Sequence, residues 1–503
     1  AALVVACAVK PRGQEPRDHR WESTLSHPNM LVIIADDHAA HAISAYGSAV
    51  NETPGLDRLA AEGTRMDACF CTNALCSPSR ASILTGTYSH VNGVTSNSSL
   101  FDARQPTFVS ALQESGYQTY LVGKWHLGHG GIHDPVAFDR WTVLPDQGTY
   151  DDPEFLEPGG GRVRRTGYVT DIITDITIEW LRERDRSRPF CAVVGHKAPH
   201  EPWEPAPRHR DLYADLDLPE PATLRDDHAE RATPSREATM RSVDHMPEEN
   251  FKVPVPAGLG GDDLLRWKYQ RYIKDYVRTI ASLDESVARM LAYLDEEGIA
   301  DDTVVIYTSD QGFYLGDHGW YDKRFMYEES LRMPTLVRYP REVPAGSTSS
   351  DMVLNVDFGP TLLDYAGLPV PGRMQGRSFR EVLRGETPAD WRRSMYYRYW
   401  VHQDVMHNVW SHYGVRTDRH KLIYFYAEPC GVSGARGEPR SPEWELFDLE
   451  LDPDELRNVA DDPAYRDVRR DLTGELLRLQ RELGDVDCAP LPDPAELSRE
   501  TDT

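Results

Sequence analysis

Apolar residues in this chain fall into short unbroken runs separated by longer stretches of helical period. Residues 29–35, Asn-Met-Leu-Val-Ile-Ile-Ala, are the first such run and predict a strand buried on both faces. Runs at 117–123, 189–195, 302–308 and 334–340 have the same character. Between them the spacing predicts helices over 53–63, 107–116, 166–184 and 267–294, with another beginning at 357. In the third, Val169, Ile172, Ile173, Ile176 and Leu181 share one side; in the fourth, Tyr272, Tyr276, Ile280, Leu283, Val287 and Leu291 do. Buried strands alternating with amphipathic helices predict an α/β fold with a covered central sheet. Beyond residue 372 the strands shorten and mix with polar positions, over 394–400, 413–417, 421–426 and 443–449. Residues 10–28 read as a polar linker, 159–161 (three glycines) as a flexible loop, and the tail after 485 as loosely held. Residues 201–261 show no period, which places them over the rim of a site or makes them mobile.

At 503 residues the chain can bury a large core and carry a second domain. Its 55 basic and 81 acidic residues give a net charge of −26, which argues against nucleic acid or an anionic membrane as a general partner. An anionic substrate would therefore need a local pocket of Arg, Lys and metal. The apolar run at 1–9 is too short to span a bilayer and reads as the tail of a secretory signal, a lipoprotein-like box, or a ragged end. No other stretch reads as transmembrane. Seven cysteines are scattered without paired Cys-x-x-Cys modules, so a zinc ribbon is not expected. Cys430 and Cys488 could bridge in an exported protein.

Chemistry collects where the buried strands end. The first runs into Asp36-Asp37-His38, the second into Lys124-Trp125-His126, the third into His196-Lys197-Ala198-Pro199-His200, and the fourth into Ser309-Asp310-Gln311-Gly312. In open α/β sheets ligands bind at such strand ends. Adjacent carboxylates there persist best around a cation, and Asp36, Asp37, Asp310 and Gln311 make an all-oxygen set suited to calcium or magnesium. A further stretch, Cys76-Ser77-Pro78-Ser79-Arg80-Ala81-Ser82-Ile83-Leu84-Thr85-Gly86, predicts a short helix. Pro78 suits its first turn, Ser77 and Ser79 can cap it, Ile83 and Leu84 supply a buried face, and Gly86 stops it. Cys76 at the positive end, with Arg80 one turn on, is expected to have a lowered thiol pKa and to attract an anion.

This stretch resembles the Cys-x-Pro-Ser-Arg-x-x-x-Leu-Thr-Gly signature of the type I, formylglycine-dependent sulfatases. The run Gly123-Lys124-Trp125-His126-Leu127-Gly128 resembles their second signature, and Lys197-Ala198-Pro199-His200 their sulfate-binding histidine motif. The resemblance covers residues 29 to about 483. It implies an alkaline-phosphatase-like sandwich: a large central mixed sheet flanked by helices, plus a smaller C-terminal α+β subdomain with an antiparallel sheet closed by a helix over 471–483. The implied division is 1–28 linker or signal remnant, 29–372 catalytic domain, 373–485 subdomain and 486–503 tail.

It also implies that Cys76 is a precursor, converted by a formylglycine-generating enzyme, whose hydrated aldehyde is the nucleophile. Asp36, Asp37, Cys76, Asp310 and Gln311 would hold calcium, in preference to magnesium. Arg80, Lys124, His200 and Lys323 would hold the sulfuryl group, His200 as a protonated donor to the leaving oxygen. His126 would be the base that opens the sulfated hemiacetal, and His318 an extra substrate contact. The stretches 311–319 and 323–330 look most like bacterial glycan sulfatases of the N-acetylglucosamine-6-sulfatase-like kind. The expected substrate is a sulfated carbohydrate, a glycosaminoglycan or mucin-type glycan, handled outside the cytoplasm. A phosphate or phosphonate monoester hydrolase of the same superfamily is the competing reading. Trp and Tyr residues within 400–413 are open to two readings, sugar stacking or subdomain core.

Overall fold

The computed structural model describes residues 27–485 together with 488, 489 and 491. The apolar run at 1–9, most of the linker and most of the tail lie outside the described residues. Ten strands form one sheet: β1 (Asn29–Ala35), β2 (Thr64–Met66), β3 (Gln118–Lys124), β4 (Arg140–Leu144), β5 (Glu154–Glu157), β6 (Gly161–Arg164), β7 (Phe190–Gly195), β8 (Thr303–Ser309), β9 (Thr335–Arg338) and β10 (Ser347–Ser349). Their order is β10-β2-β9-β8-β1-β7-β3-β4-β5-β6. The five runs of the sequence reading are β1, β3, β7, β8 and β9, which are contiguous at the centre. The central four are parallel, and β9 is antiparallel to β8, so the sheet is mixed.

Register aligns the functional ends. Ile34 lies opposite Gly195 and Thr308, and Gly123 opposite Gly195, so β1, β3, β7 and β8 finish along one edge. On β1, Leu31, Ile33 and Ala35 face one layer and Met30, Val32 and Ile34 the other, as the two-residue period of a strand requires. The first layer contains α1 (Pro54–Ala61), α4 (Val169–Glu183) and the C-terminal half of α5 (Gly261–Glu296). The second contains α2 (Cys76–Thr85), α3 (Phe108–Glu114) and α6 (Phe358–Tyr365). Helix α5 starts six residues before the predicted 267, because Asp262 and Asp263 in its first turn favour a helix start without adding to the apolar period.

The C-terminal residues form a separate antiparallel sheet, β11 (Ser394–Tyr399), β12 (His412–Thr417), β13 (His420–Phe425) and β14 (Glu443–Asp448), covered by α7 (Arg466–Leu483) through Leu472 and Leu476. Trp400, Trp410 and Tyr413 are buried, which places them in its core. The three glycines are not a loose loop. Gly159 and Gly160 adopt positive φ and close a hairpin in which Glu157 pairs with Gly161. The 201–260 insertion is anchored by Trp203, Met240 and Phe251, each fully buried. Cys430 and Cys488 are joined in a disulfide.

Candidate active site

Helix α2 is buried along its whole length, all ten residues included, rather than on one face. The serines expected to cap it make no capping bond. They tie it to the strand ends instead: Ser77 Oγ donates to the His126 carbonyl at 2.6 Å, and Ser79 Oγ to the Asp310 carbonyl. The Ser77 N–H, free as the first-turn donors of a helix are, reaches Asn97 Oδ1 at 3.1 Å. Gly123 and Gly195 let the neighbouring strands close in. A Cβ on Gly123, whose φ is +88°, would lie 1.9 Å from the Gly195 carbonyl, and one on Gly195 would lie 2.4 Å from the Lys124 carbonyl. That carbonyl accepts Arg80 Nη1 at 3.0 Å, which locks helix to sheet.

Around residue 76 stand three buried carboxylates and three buried cations. Asp36, Asp37 and Asp310 each present an oxygen within 4.8 Å of the others. Lys124 Nζ contacts Asp36, Lys323 Nζ contacts Asp37 at 2.7 Å, and Arg80 Nε contacts Asp310 at 2.9 Å. The pairing is uneven. Burial opposes ionisation of Asp36, yet Lys124 and Arg80 hold it well below the usual carboxylate range. Burial pushes Asp37 up to about 7, against the pull of Lys323 and with help from Asp36 and Asp310. Burial and Asp36 likewise carry Asp310 to about 6. Two carboxylates this reluctant to ionise are short of positive charge. Gln311 Oε1 is buried with no partner, while its Nε2 is turned onto Asp37. With the amide reversed, that oxygen joins the carboxylates in an all-oxygen donor set that fits a hard divalent cation.

The Cys76 thiol is fully buried, 3.4 Å from Asp36 Oδ1 and 3.8 Å from Gln311 Nε2. Burial and the Asp36 charge raise its pKa well above the ordinary thiol value, overcoming Lys124 and Lys323. The expected lowering is thus reversed, because the helix end and Arg80 act in a medium that penalises any thiolate. His126 and His200 are held neutral. Burial lowers both well below the ordinary imidazole value, and Lys124 and Lys323 add to it. His200 Nε2 lies 3.6 Å from Asp37 Oδ2, and its Nδ1 is 2.9 Å from the Glu201 carbonyl. His126 Nδ1 and Arg80 Nη2 are buried without partners.

Ten of the eleven residues singled out from sequence therefore converge: Asp36, Asp37, Cys76, Arg80, Lys124, His126, His200, Asp310, Gln311 and Lys323. His318 does not join them. It is fully buried between Asp226 (3.4 Å) and Glu329 (3.5 Å). Burial alone would lower its pKa, but those carboxylates raise it to about 10, so it is a buried cation bracing the loop after β8.

Several contributors escaped the sequence reading. Gln147 Oε1 accepts Lys124 Nζ at 2.5 Å. Asn355 donates to Ser79 Oγ at 2.9 Å and accepts from Thr72 N–H at 3.2 Å, holding both sides of the turn that carries Cys76. Arg324 donates to Asp322 at 2.9 Å, His407 lies 3.4 Å from Asp322, and His407 Nδ1 meets Asp404 at 2.7 Å. Asp322 and Arg324 flank Lys323 in sequence, a signal that was available. Asn97 and Gln147 act through single contacts, and Asn355 through two to residues far from it in sequence, so none of the three leaves a pattern.

Residues 28–368 match the family model described as Sulfatase, and 316–482 match that of the C-terminal region of N-sulphoglucosamine sulphohydrolase. The chain is 40% identical over 97% of its length to an N-acetylglucosamine-6-O-sulfatase of Bacteroides thetaiotaomicron, 90% of which is covered. Its fold matches that of BT4656, solved with its substrate D-glucosamine-2-N,6-O-disulfate, with a TM-score of 0.84 and 41% identity over 92% of this chain and 99% of that one. A phosphonate monoester hydrolase of Agrobacterium radiobacter shares the fold alone, at 22% identity and a TM-score of 0.69 over 91% and 96% of the two chains. With its nucleophile signature, paired carboxylates and ring of cations gathered at one sheet edge, the chain belongs to the sulfatase family and is an enzyme that hydrolyses sulfate esters.

Proposed function

We propose that this sulfatase removes the 6-O-sulfate of glucosamine units in a sulfated glycan, with formylglycine at position 76 and a calcium ion held by Asp36, Asp37, Asp310 and Gln311. The observation that carries the chemistry is the charge balance. Three carboxylates face three cations at the site. A divalent ion leaves two positive charges in excess. A sulfate monoester brings one negative charge and a deprotonated nucleophile brings the second. A phosphate monoester is close to doubly charged at neutral pH and would overfill the site by about one charge. When bound, the ion supplies Lewis acidity toward a hydroxyl at position 76 and toward sulfate oxygens.

The chain's own residues do the rest. Lys124, Lys323 and the unpartnered Arg80 Nη2 hold sulfate oxygens in line with residue 76. Burial keeps His200 neutral, with Lys124 and Lys323 adding to it. The sulfate charge beside it makes protonation favourable, and the proton then passes to the leaving sugar oxygen. His126 stays neutral and so can accept a proton through its unpartnered Nδ1. The Asp322, Arg324, Asp404 and His407 quartet adjoins Lys323 and offers paired donors and acceptors, which suits sugar hydroxyls. The disulfide supports an exported enzyme, with residues 29–372 carrying the chemistry and 373–485 contributing His407.

The test is turnover by protein whose residue 76 is verified as converted by the mass of its peptide. N-acetylglucosamine-6-sulfate and an aryl sulfate should both be hydrolysed, and the aryl phosphate poorly. Arg324→Ala and His407→Ala should raise KM for the sulfated sugar and leave aryl sulfate kcat in place. Faster turnover of the aryl phosphate or phosphonate overturns the reading.

A further inference from the structure

On the outer side of α5, away from the catalytic cluster, lies a cleft of about 580 Å³. Its walls are Arg210, Asp211 and Asp217 on the insertion, and Arg266, Trp267, Arg271, Lys274 and Arg278 on the helix. Five cations and two carboxylates line it, and with Glu220 and Asp275, which pair with Arg266 and Arg278, the local balance is still positive on a chain of net charge −26. Composition alone does not produce such a concentration.

These cations are only partly committed. Arg278 is nearly buried, with a 7% exposed side chain; its Nε donates to the Leu212 carbonyl at 2.8 Å and its Nη1 to Asp275 at 2.9 Å. No hydrogen bond of its Nη2 is found among the described residues. Arg271 gives Nη2 to the Phe251 carbonyl at 2.9 Å and lies 3.6 Å from Asp275, but its Nε is buried with no partner. Among the described residues Lys274 reaches only the Ala214 carbonyl, at 3.5 Å. Arg210 is exposed and has no ion pair among the described residues. Arg266 alone is tied to a rim carboxylate, Glu220, at 3.3 Å. Trp267 packs one side against Phe251 at 5.6 Å and remains partly exposed. A nearly buried Arg278, a partly exposed Arg271 whose Nε is unpartnered, looser cations at the rim and an indole between them suit a sugar chain bearing anionic groups: charge pairing for the anions, a flat apolar face for the ring.

The cleft and the catalytic cluster are two faces of the same helix. On the inner face the Tyr276 hydroxyl donates to the Asp37 carbonyl at 2.7 Å. On the outer face Asp275 binds Arg278 and also Lys252 at 2.8 Å, and Lys252 holds the Trp203 carbonyl, three residues past His200. We propose that this cleft is an accessory site for an anionic saccharide, binding sulfate or carboxylate groups of the polymer whose sulfate ester is cleaved at residue 76. The assignment rests on the glycan reading above.

The test uses the full chain with Cys76→Ala, so that turnover does not consume the probe, and measures binding of heparin octasaccharides by titration calorimetry. Saturating N-acetylglucosamine-6-sulfate should leave most of the octasaccharide affinity in place. Arg210→Ala with Lys274→Ala should weaken it by about tenfold and Trp267→Ala by about threefold, within the range of solvent-facing charge and ring contacts. The same substitutions with Cys76 intact should leave aryl sulfate kcat/KM unchanged, which excludes misfolding. Unchanged octasaccharide binding in both variants, equal binding of polyglutamate, or complete competition by the monosaccharide overturns the proposal. The two readings fail separately: failure of the glycan reading appears as no release of sulfate from sulfated sugars, whatever the cleft variants do.

Discussion

Removing Arg80 should destabilise the protein more than it disturbs its shape, and a second substitution should undo only the destabilisation. The Arg80 side chain is 5% exposed and Asp310 is fully buried, with 2.9 Å between Nε and Oδ2. Arg80→Met leaves that carboxylate facing Asp36 and Asp37 without its guanidinium. Breaking a buried pair from one side costs about 3–5 kcal/mol. The lost bond to the Lys124 carbonyl adds roughly 1 kcal/mol. Unfolding entropy of about 2 cal/mol/K per residue gives roughly 1 kcal/mol/K for a chain of this length, so Tm should fall by about 4–6 °C. Asp310→Asn in the same chain removes the stranded charge, and replacing both partners by neutral groups is close to neutral for stability. The double variant should return to within about 2 °C of the parent while staying inactive and unresponsive to calcium. The assay is differential scanning fluorimetry in chelator, with and without added calcium, beside aryl sulfate turnover. If Arg80→Met melts where the parent does, or the double variant is as unstable as the single one, Arg80 does not hold Asp310 as described.

Chelation should abolish turnover and lower Tm by about 3 °C, since a ligand at a hundredfold its Kd stabilises by about 2.7 kcal/mol; an unchanged Tm and activity would exclude a resident divalent ion. The His318 pKa is raised from its ordinary 6.5 to about 10, so its pairing with Glu329 and Asp226 stabilises fully below pH 6.5 and is lost as pH rises toward 10. Thermal midpoints of the parent should therefore decline across that window, and those of His318→Gln should decline less; parallel profiles would contradict the assignment. Gly123→Ala forces a Cβ to 1.9 Å from the Gly195 carbonyl at a φ of +88°, so it should yield little soluble, active protein; a variant with parental Tm and kcat would show that the strands can separate there.

How much of this was legible in the sequence follows from what each residue has to satisfy. Strands β1, β3, β7, β8 and β9 were readable because a strand covered on both faces admits almost no polar residue. Edge strands are not under that constraint. Strand β6 carries exposed Arg162 and Arg164, β4 opens on exposed Arg140, and the short β2 and β10 mix Thr, Ser and Arg, so none of the four forms an apolar run that predicts a strand. The hairpin turn at Gly159 and Gly160 looked like slack because glycine reports permission for positive φ and not whether the chain uses it.

The site was legible for a different reason. Parallel strands in register must finish together, so polar residues placed directly after apolar runs meet whatever their separation in sequence: Asp37 and Asp310 are 273 positions apart and share a hydrogen bond. What the sequence hid was the medium. Position 76 at a helix start with Arg80 nearby reads as an activated thiol when only neighbours are counted. Burial with the rest of its helix and the Asp36 charge make it an inert one. The same burial makes Asp37 and Asp310 harder to ionise than free carboxylates despite three adjacent cations. A thiol that cannot ionise beside carboxylates that resist ionising does not assemble a cysteine hydrolase. The arrangement becomes consistent once a divalent ion relieves the carboxylates and residue 76 presents oxygen in place of sulfur, because each change removes one of the two penalties that burial imposes.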